Sequence, residues 1–135
     1  MSGILNFNQL LKEMSPVLQD GRFVFCSFPG GRYGDHAHLI PIASIVESEG
    51  LTLVIPQEKA DAFEIPYDGV YKAITLEVHS SLEAVGLTAA FATKLGEHNI
   101  SANVIAGYFH DHIFVQAAKA DQALLALGEF KNEDH

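Results

Sequence analysis

Four residues in the second half of the chain could bind a small charged molecule: Ser80, Ser81, Gly86 and Asp111. The surrounding pattern predicts a helix that begins near the two serines and a hairpin with Asp111 at its tip. A helix N-terminus carries unpaired N–H groups and a partial positive charge, which suit a carboxylate, and serine hydroxyls add hydrogen-bond partners. A glycine lets a ligand approach the backbone closely. These groups could hold a small zwitterion and do not form an obvious catalyst.

The chain has the composition of a folded, acidic globular protein. Its 135 residues are 48% hydrophobic and 19% charged, which fits one ordinary domain or two very small ones that share a core. The formal net charge is −9, and no basic cluster offsets it. Nucleic acids and anionic membrane surfaces attract Lys and Arg, so we expect neither as a partner. Short apolar runs and an N-terminus without a signal-peptide pattern predict a cytoplasmic protein.

The single cysteine and the histidines are weak signals for catalysis or metal binding. Cys26 lies in a predicted apolar strand, which favours a buried thiol, and one cysteine excludes an intrachain disulfide. His110 and Asp111 are neighbours in the chain, so their side chains point apart and cannot easily act as a base and its orienting partner. We expect no enzyme, no metal and no cofactor. The histidines weighed as metal ligands lack zinc-site spacing: His36, His38, His79, His110 and His112.

The first half of the sequence predicts a helix, then strands and turns, and then a second, short helix. Pro16 ends a helix whose apolar face runs up to Met14. Asp20-Gly21 is a two-residue hairpin signal between residues 17–19 and 22–25, because glycine accepts the positive φ of such turns. The remaining predictions are helix residues Phe7, Leu10 and Leu11 on that face, a loop over residues 28–38, strands at 42–47 and 51–55, and a short helix at 57–63.

The second half predicts a strand, a helix, two strands and a last helix. Ser80 and Glu83 have the spacing of a capping box at the start of the first helix. Asn99 can take the left-handed conformation that ends this helix. The remaining predictions are the apolar stripe Leu87, Phe91 and Leu95, strands at 71–78, 102–108 and 112–116, a tight turn at 109–111, and a helix at 119–130.

A faint internal repeat at an offset of 60 residues indicates two related units. Lys59-Ala60-Asp61 matches Lys119-Ala120-Asp121, and Ile45 matches Ile105. The repeat predicts an α+β fold with two ferredoxin-like units, in which helices cover one face of antiparallel sheets. We expect a degenerate unit at residues 1–67, whose loop replaces a helix, and a complete unit at residues 68–135. An uncovered sheet face or edge favours pairing with a second unit or a second chain.

Residues 71–130 resemble an ACT domain, a small ligand-sensing module of amino-acid metabolism. The resemblance rests on the glycine near the helix start, the apolar helix, and Asn99-Ile100 before the second strand. The segments Val85-Gly86-Leu87-Thr88-Ala89 and His110-Asp111-His112-Ile113-Phe114-Val115 are similar to the ACT domains of aspartate kinases and of cellular arginine sensors. The whole chain resembles a bacterial family of stand-alone tandem ACT proteins without assigned function.

The resemblance implies a non-enzymatic, regulatory protein that binds an amino acid or a similar small metabolite. The ligand would lie where two units or subunits meet, near the loop after the first strand and the adjoining helix start. The resemblance also implies that Asp111 pairs with a ligand ammonium or guanidinium, and it favours a homodimer or a larger homo-oligomer with one complete site per chain. The implied ligand-binding residues are Ser80, Ser81, Val85, Gly86, Leu87, Thr88, Gly107, His110 and Asp111.

Simpler roles remain open for the same residues. Ser80 and Glu83 can serve only as a helix cap, Gly86 can serve helix packing, and Asp111 is a common turn residue. Two other functions also remain open. One is a protein-interaction module without a ligand, and the other is a small enzyme or metal protein based on its histidines.

Overall fold

The computed structural model describes residues 11–77 and 84–131. They form a mixed α+β structure with antiparallel strand pairs and helices, as the sequence predicts. No helix in these two ranges is long and apolar enough to span a membrane. The strands are β1 (Ser15–Leu18), β2 (Phe23–Phe28), β3 (Ala43–Glu47), β4 (Gly50–Pro56), β5 (Tyr71–Glu77), β6 (Asn103–Ala106) and β7 (Asp111–Gln116). The helices are α1 (Gln57–Ala62), α2 (Ala84–Glu97) and α3 (Ala120–Gly128), with short 3-10 turns at Ala37–Leu39, Ala117–Lys119 and Glu129–Lys131.

The chain divides into two compact units, and one is inserted into the other along the sequence. Asp20–Lys72 forms the inserted unit, and the chain before and after it forms the split unit. In the described residues, β1 joins the split unit because it pairs with β5. The expected boundary between residues 67 and 68 divides the chain by its two sequence repeats, and it remains a prediction. The compact units are bounded differently, because β1 pairs with β5 and so belongs to the split unit.

The split unit has the strand order β1-β5-β7-β6, with helices on one face. Fifteen of its described residues are buried in one core cluster, among them Ile74 and Leu76 of β5 and Ile113 and Val115 of β7. Alternate positions on a strand face opposite sides, so odd positions of β5 and even positions of β7 point away from the helices. This alternation decides which polar residues lie near α2.

Helix α2 buries the predicted apolar stripe. Leu87, Phe91 and Leu95 are 5%, 0% and 0% exposed, as expected for residues four apart on one helical face. Asn99 has φ 62°, and the Ile100 N–H donates to the Leu95 carbonyl at 2.9 Å. The predicted left-handed helix end is therefore confirmed. The capping box at Ser80 and Glu83 lies outside the described residues.

The predicted hairpin between β1 and β2 is wrong. Gly21 does have a positive φ of 86°, but β1 pairs with β5 and β2 pairs with β4. The β2–β4 ladder matches six residues on each strand, and β1 sets Leu18 opposite Ile74, where Leu18 packs against the core. Burial along complete ladders outweighs the local preference of a two-residue turn.

The inserted unit has the order β3-β4-β2, with Phe23 of β2 also pairing with Tyr71. Its core contains seven buried residues, including Cys26 and Leu53. Burial raises the pKa of the Cys26 thiol above its ordinary value, so this group is a poor nucleophile. Residues 29–42 connect β2 to β3, a connection too short to hold a helix like the 14-residue α2 of the split unit.

The 60-residue repeat is visible in the structure. Strand β3 begins at Ala43 and β6 at Asn103, and each is paired with the next strand in an antiparallel hairpin. Helix α1 and the turn at Ala117–Lys119 then follow β4 and β7 at matching positions. The repeat therefore reflects a shared strand–turn–strand–helix unit.

Candidate functional site

Six of the nine predicted ligand residues lie between positions 80 and 88 of the chain, and they fall into three groups. Ser80 and Ser81 lie outside the described residues, and so does the side chain of Val85, whose backbone belongs to α2. Leu87 packs in the core of the split unit and serves the fold. Gly86 is exposed and Thr88 is half-buried, both early in α2.

Thr88 and Asp111 come together between α2 and the start of β7. The Thr88 Oγ1 atom lies 3.5 Å from Asp111 Oδ2. Asp111 alternates with the core residue Ile113, so its side chain lies on the helix side of the sheet. A separation of 3.5 Å is long for a hydroxyl–carboxylate hydrogen bond, which is normally below about 3.0 Å. Both groups therefore retain capacity to bind another partner.

Asp111 does not lie at the hairpin tip, so its expected position is wrong. Asp111 is the first residue of β7 and pairs with Ala106 of β6. The tip is Tyr108 and Phe109, which are 95% and 80% exposed and lie edge to face with ring centroids 5.0 Å apart. The turn ends one residue earlier than predicted because the register of the β6–β7 ladder includes Asp111.

Gly107 and His110 close the turn from its two ends. The Gly107 N–H donates to the His110 carbonyl at 2.9 Å. A Cβ at position 107 would lie 3.0 Å from that carbonyl oxygen and 3.2 Å from His112 Nε2, so the turn and the imidazole approach as closely as they do because residue 107 has no side chain.

The Nδ1 atom of His110 is buried and has no hydrogen-bond partner among the described residues. An unpaired buried polar atom costs about 1–3 kcal/mol relative to a satisfied one. Such an atom calls for an explanation, and a bound ligand or ordered water would supply one. The unpaired Nδ1 atom therefore makes this turn a candidate position for binding a polar group.

A second polar cluster lies on the sheet face opposite the helices. Thr75 is 5% exposed, and its Oγ1 accepts a hydrogen bond from Gln19 Nε2 at 2.9 Å and lies 3.0 Å from His112 Nδ1. If Thr75 donates its proton to Nδ1, the proton of the neutral imidazole is on Nε2, beside Gly107. The cluster therefore connects Gln19, the residue after β1, with β5 and β7, and it orients His112 against the turn.

Sequence reasoning missed Thr75 and Gln19 and considered His112 only for metal binding or catalysis. A signal was present, because Thr75 is the one polar residue in the run Ala73-Ile74-Thr75-Leu76. A polar residue in a buried strand requires a partner. The partner depends on the pairing of β1 with β5, which the hairpin prediction excluded.

Replacing Thr75 with valine is expected to destabilise the protein by about 1–3 kcal/mol, because Gln19 and His112 lose their shared partner while the side-chain shape is kept. The measurement is equilibrium urea unfolding followed by circular dichroism. Thr93→Val makes the same change at an exposed position of α2 and should stay within about 0.5 kcal/mol of the parent. Equal stability of the two variants would contradict a stabilising role for this cluster.

The histidines of the inserted unit have aromatic partners. His36 stacks on Phe28 with ring centroids 4.1 Å apart, and His38 meets Phe63 edge to face at 4.8 Å. Within residues 11–77 and 84–131, no group of three or more His, Cys, Asp or Glu side chains is placed to hold a metal ion. The expectation that the protein works without a metal remains a prediction.

Comparison with known proteins assigns the family. Two ACT domain profiles match the chain, one over residues 2–72 and the other over residues 69–129. The first match alone covers more than half of the chain, so the chain belongs to the ACT domain family and carries two ACT domains in tandem. ACT domains are regulatory modules that bind small molecules. A search of curated proteins gave no match.

Solved structures agree with this assignment. A protein of unknown function from Vibrio cholerae, described as a possible transport protein, is 58% identical, with a TM-score of 0.86 over 93% of this chain and 95% of that chain. The aspartate kinase of Clostridium acetobutylicum is 10% identical, with a TM-score of 0.61 over 88% of this chain and 34% of that chain. The regulatory subunit of aspartate kinase from Thermus thermophilus is 12% identical, with a TM-score of 0.56 over 86% of this chain and 95% of that chain. The two kinase similarities show the fold alone.

Proposed function

We propose that this protein is a non-enzymatic sensor that binds an amino acid or a similar small metabolite in its split unit. The observation that carries the proposal is the approach of Thr88 to Asp111 at 3.5 Å, which puts a hydroxyl and a carboxylate at one point between α2 and β7. A carboxylate that can accept further hydrogen bonds suits the ammonium of an amino acid. The other candidate residues are close along the chain, since Gly86 lies two residues before Thr88, and Gly107 and His110 lie in the turn before Asp111.

The carboxylate of the ligand would bind near the start of α2, where Ser80 and Ser81 are expected to add hydroxyl groups. Helix N-termini favour anions, and Gly86 leaves the backbone open to close approach. We propose further that the protein is cytoplasmic and acts as a homodimer or a larger homo-oligomer, with the ligand of the split unit at an interface with a second subunit. The regulatory subunits of aspartate kinases are structural precedents for the fold.

The test is a screen of the common amino acids and related metabolites by thermal shift, followed by calorimetry of any hit. A ligand present at about 100 times its Kd should stabilise the protein by about 2.7 kcal/mol. Asp111→Asn should weaken that ligand about tenfold, because the charged acceptor is lost while the shape is kept. Asp121→Asn, an exposed position on α3, is the matched control and should bind as the parent does.

Two results would count against the proposal. No stabilisation by any amino acid or related metabolite would remove the sensing function, although the ACT fold would stand. Equal affinities for the parent and Asp111→Asn would remove Asp111 from the site. An enzyme based on His110 and Asp111 would instead turn over a substrate, and sensing predicts that the calorimetric heats saturate with no continuing reaction heat.

A second candidate function is a protein-interaction module without a ligand. It is favoured by the exposed aromatic pair Tyr108 and Phe109 at the β6–β7 tip, because large exposed aromatic side chains are enriched at interfaces. Sedimentation velocity over a range of protein concentrations separates the two functions. Association that depends on both aromatic residues, together with a negative ligand screen, would favour the interaction module.

A further inference from the structure

A groove in the inserted unit is separate from the proposed amino-acid site. It has a volume of about 320 Å³ and lies beside β3, where Ser44 pairs in register with Leu53 of β4. Leu53 is 1% exposed and belongs to the core of this unit, so the groove reaches the core from one side. Its size is at the lower end of the range for small-molecule pockets, about 300–1,000 Å³.

The groove exists because this unit lacks the helix that the split unit has. Residues 29–42 leave no room for a counterpart of the 14-residue α2. The core of the inserted unit holds seven buried residues, whereas fifteen of the described residues form the core of the split unit. The helix-side face of β3 consequently stays open, with Val46 67% exposed. This face offers apolar surface that the described part of the chain leaves uncovered.

The loop that forms the other wall is held in one conformation by several contacts. The Gly31 N–H donates to the Phe28 carbonyl at 2.8 Å, and His36 stacks on Phe28. Leu39 is 0% exposed and anchors the loop in the core. Ile40 has φ 55°, a left-handed conformation that costs a β-branched residue about 1–3 kcal/mol, so the surrounding contacts must hold it there. The wall is therefore preformed.

Asp35 is the only charged side chain among the described residues that line the groove. Its Oδ2 accepts the Arg32 backbone N–H at 2.8 Å, and its other oxygen has no partner in the described part of the chain. The lining also includes the Ser44 hydroxyl and the apolar side chains of Pro41 and Ile42. A single anionic group at the edge of an apolar groove is complementary to one positive charge on an apolar body, and the net charge of −9 attracts cations.

We propose that this groove is a binding site for a small primary amine with a short branched apolar body. The ammonium bonds to the Asp35 carboxylate, with Ser44 as a further hydroxyl acceptor, and the apolar body covers Leu53 and Ile42. The site lies wholly within the inserted unit and does not depend on the proposed amino-acid site.

The test is a titration of the full chain with isoamylamine, followed by amide chemical shifts in nitrogen–proton NMR spectra. Isoamyl alcohol and isovalerate share its branched carbon skeleton. The alcohol has no charge, and the carboxylate of isovalerate is negative. Isoamylamine should give saturable shifts at Asp35, Ile42 and Ser44 in the millimolar range, and the other two probes should not saturate there. No saturation with the amine, or equal binding of all three probes, would overturn the proposal.

Variants separate charge recognition from a general effect on the fold. Asp35→Asn keeps an oxygen for the Arg32 N–H and should weaken amine binding about tenfold. Asp68→Asn, an exposed position in the same unit, should leave binding unchanged. Unaltered affinity in Asp35→Asn, with a native spectrum, would overturn the assignment.

Discussion

Replacing Gly50 with alanine is expected to destabilise the inserted unit by roughly 3 kcal/mol or more. Gly50 opens β4 opposite Glu47 with φ 142°, a conformation that L residues rarely adopt. An added Cβ would lie 2.6 Å from the Phe28 carbonyl oxygen and 2.8 Å from Pro29 Cα. Both are backbone atoms, so relief of the clash requires movement of the β2 end or of the β3–β4 turn.

The matched control is Gly34→Ala. Gly34 also has a positive φ, 93°, but a Cβ added there would have no neighbouring atom of the described residues within 4 Å. Its expected cost is only that of the left-handed backbone, about 1–2 kcal/mol. Urea unfolding and hydrogen exchange of the β4 amides measure both variants. If Gly50→Ala were as stable as Gly34→Ala, the close approach of the two backbones would not be a real constraint.

Phe91→Ala is expected to destabilise the split unit by about 3–5 kcal/mol. Phe91 is 0% exposed in the middle of α2 and meets Phe130 edge to face, with ring centroids 6.4 Å apart. Removing its ring forfeits apolar burial and leaves a cavity between α2 and the sheet, which a tightly packed core fills only in part. Thermal and urea unfolding followed by circular dichroism give the change in free energy.

Tyr108→Ala is the control for loss of an aromatic side chain. Tyr108 is 95% exposed, so its removal should change the free energy of unfolding by less than about 0.5 kcal/mol. Phe91→Leu keeps most of the volume and should cost clearly less than Phe91→Ala. A small effect of Phe91→Ala, similar to that of Tyr108→Ala, would mean that the core of this unit does not depend on α2 as described.

The two units differ in a way that bears on function. In the split unit, α2 covers the sheet and brings Thr88 near Asp111. In the inserted unit, the shorter connection leaves the equivalent face open beside Asp35 and Ser44. The same structural plan therefore offers two chemically different surfaces, and each has its own charge-matched variant and probe.

Local signals in the sequence were reliable for the elements. The apolar stripe Leu87, Phe91 and Leu95 predicts α2, and Asn99 predicts its end, because both depend on residues within a few positions along the chain. The 60-residue repeat predicts the strand–turn–strand–helix units because the two halves carry matching residues at the same positions. Family resemblance added the tandem ACT architecture, which the profile matches confirm.

Strand partners and the faces of the site residues were not readable from local signals. The Asp20-Gly21 pair favours a hairpin, but pairing of β1 with β5 buries Leu18 and leaves β2 free for its six-residue ladder with β4. Asp111 suits a turn, but the β6–β7 register places it in a strand. Neighbouring residues do not determine either register, since distant strands compete for the pairing that buries the most surface.

The sequence by itself predicted the α+β class and the helix positions, because hydrophobic periodicity acts over short distances. Its internal repeat and its family resemblance indicated the two related units and the family. Tertiary structure alone decided that Asp111 approaches Thr88 from the first position of β7, on the helix side of the sheet. It also decided that Thr75 joins Gln19 and His112 on the other side. Side-chain alternation assigns a face only after the register is known, and the register depends on which strands bury the most apolar surface together.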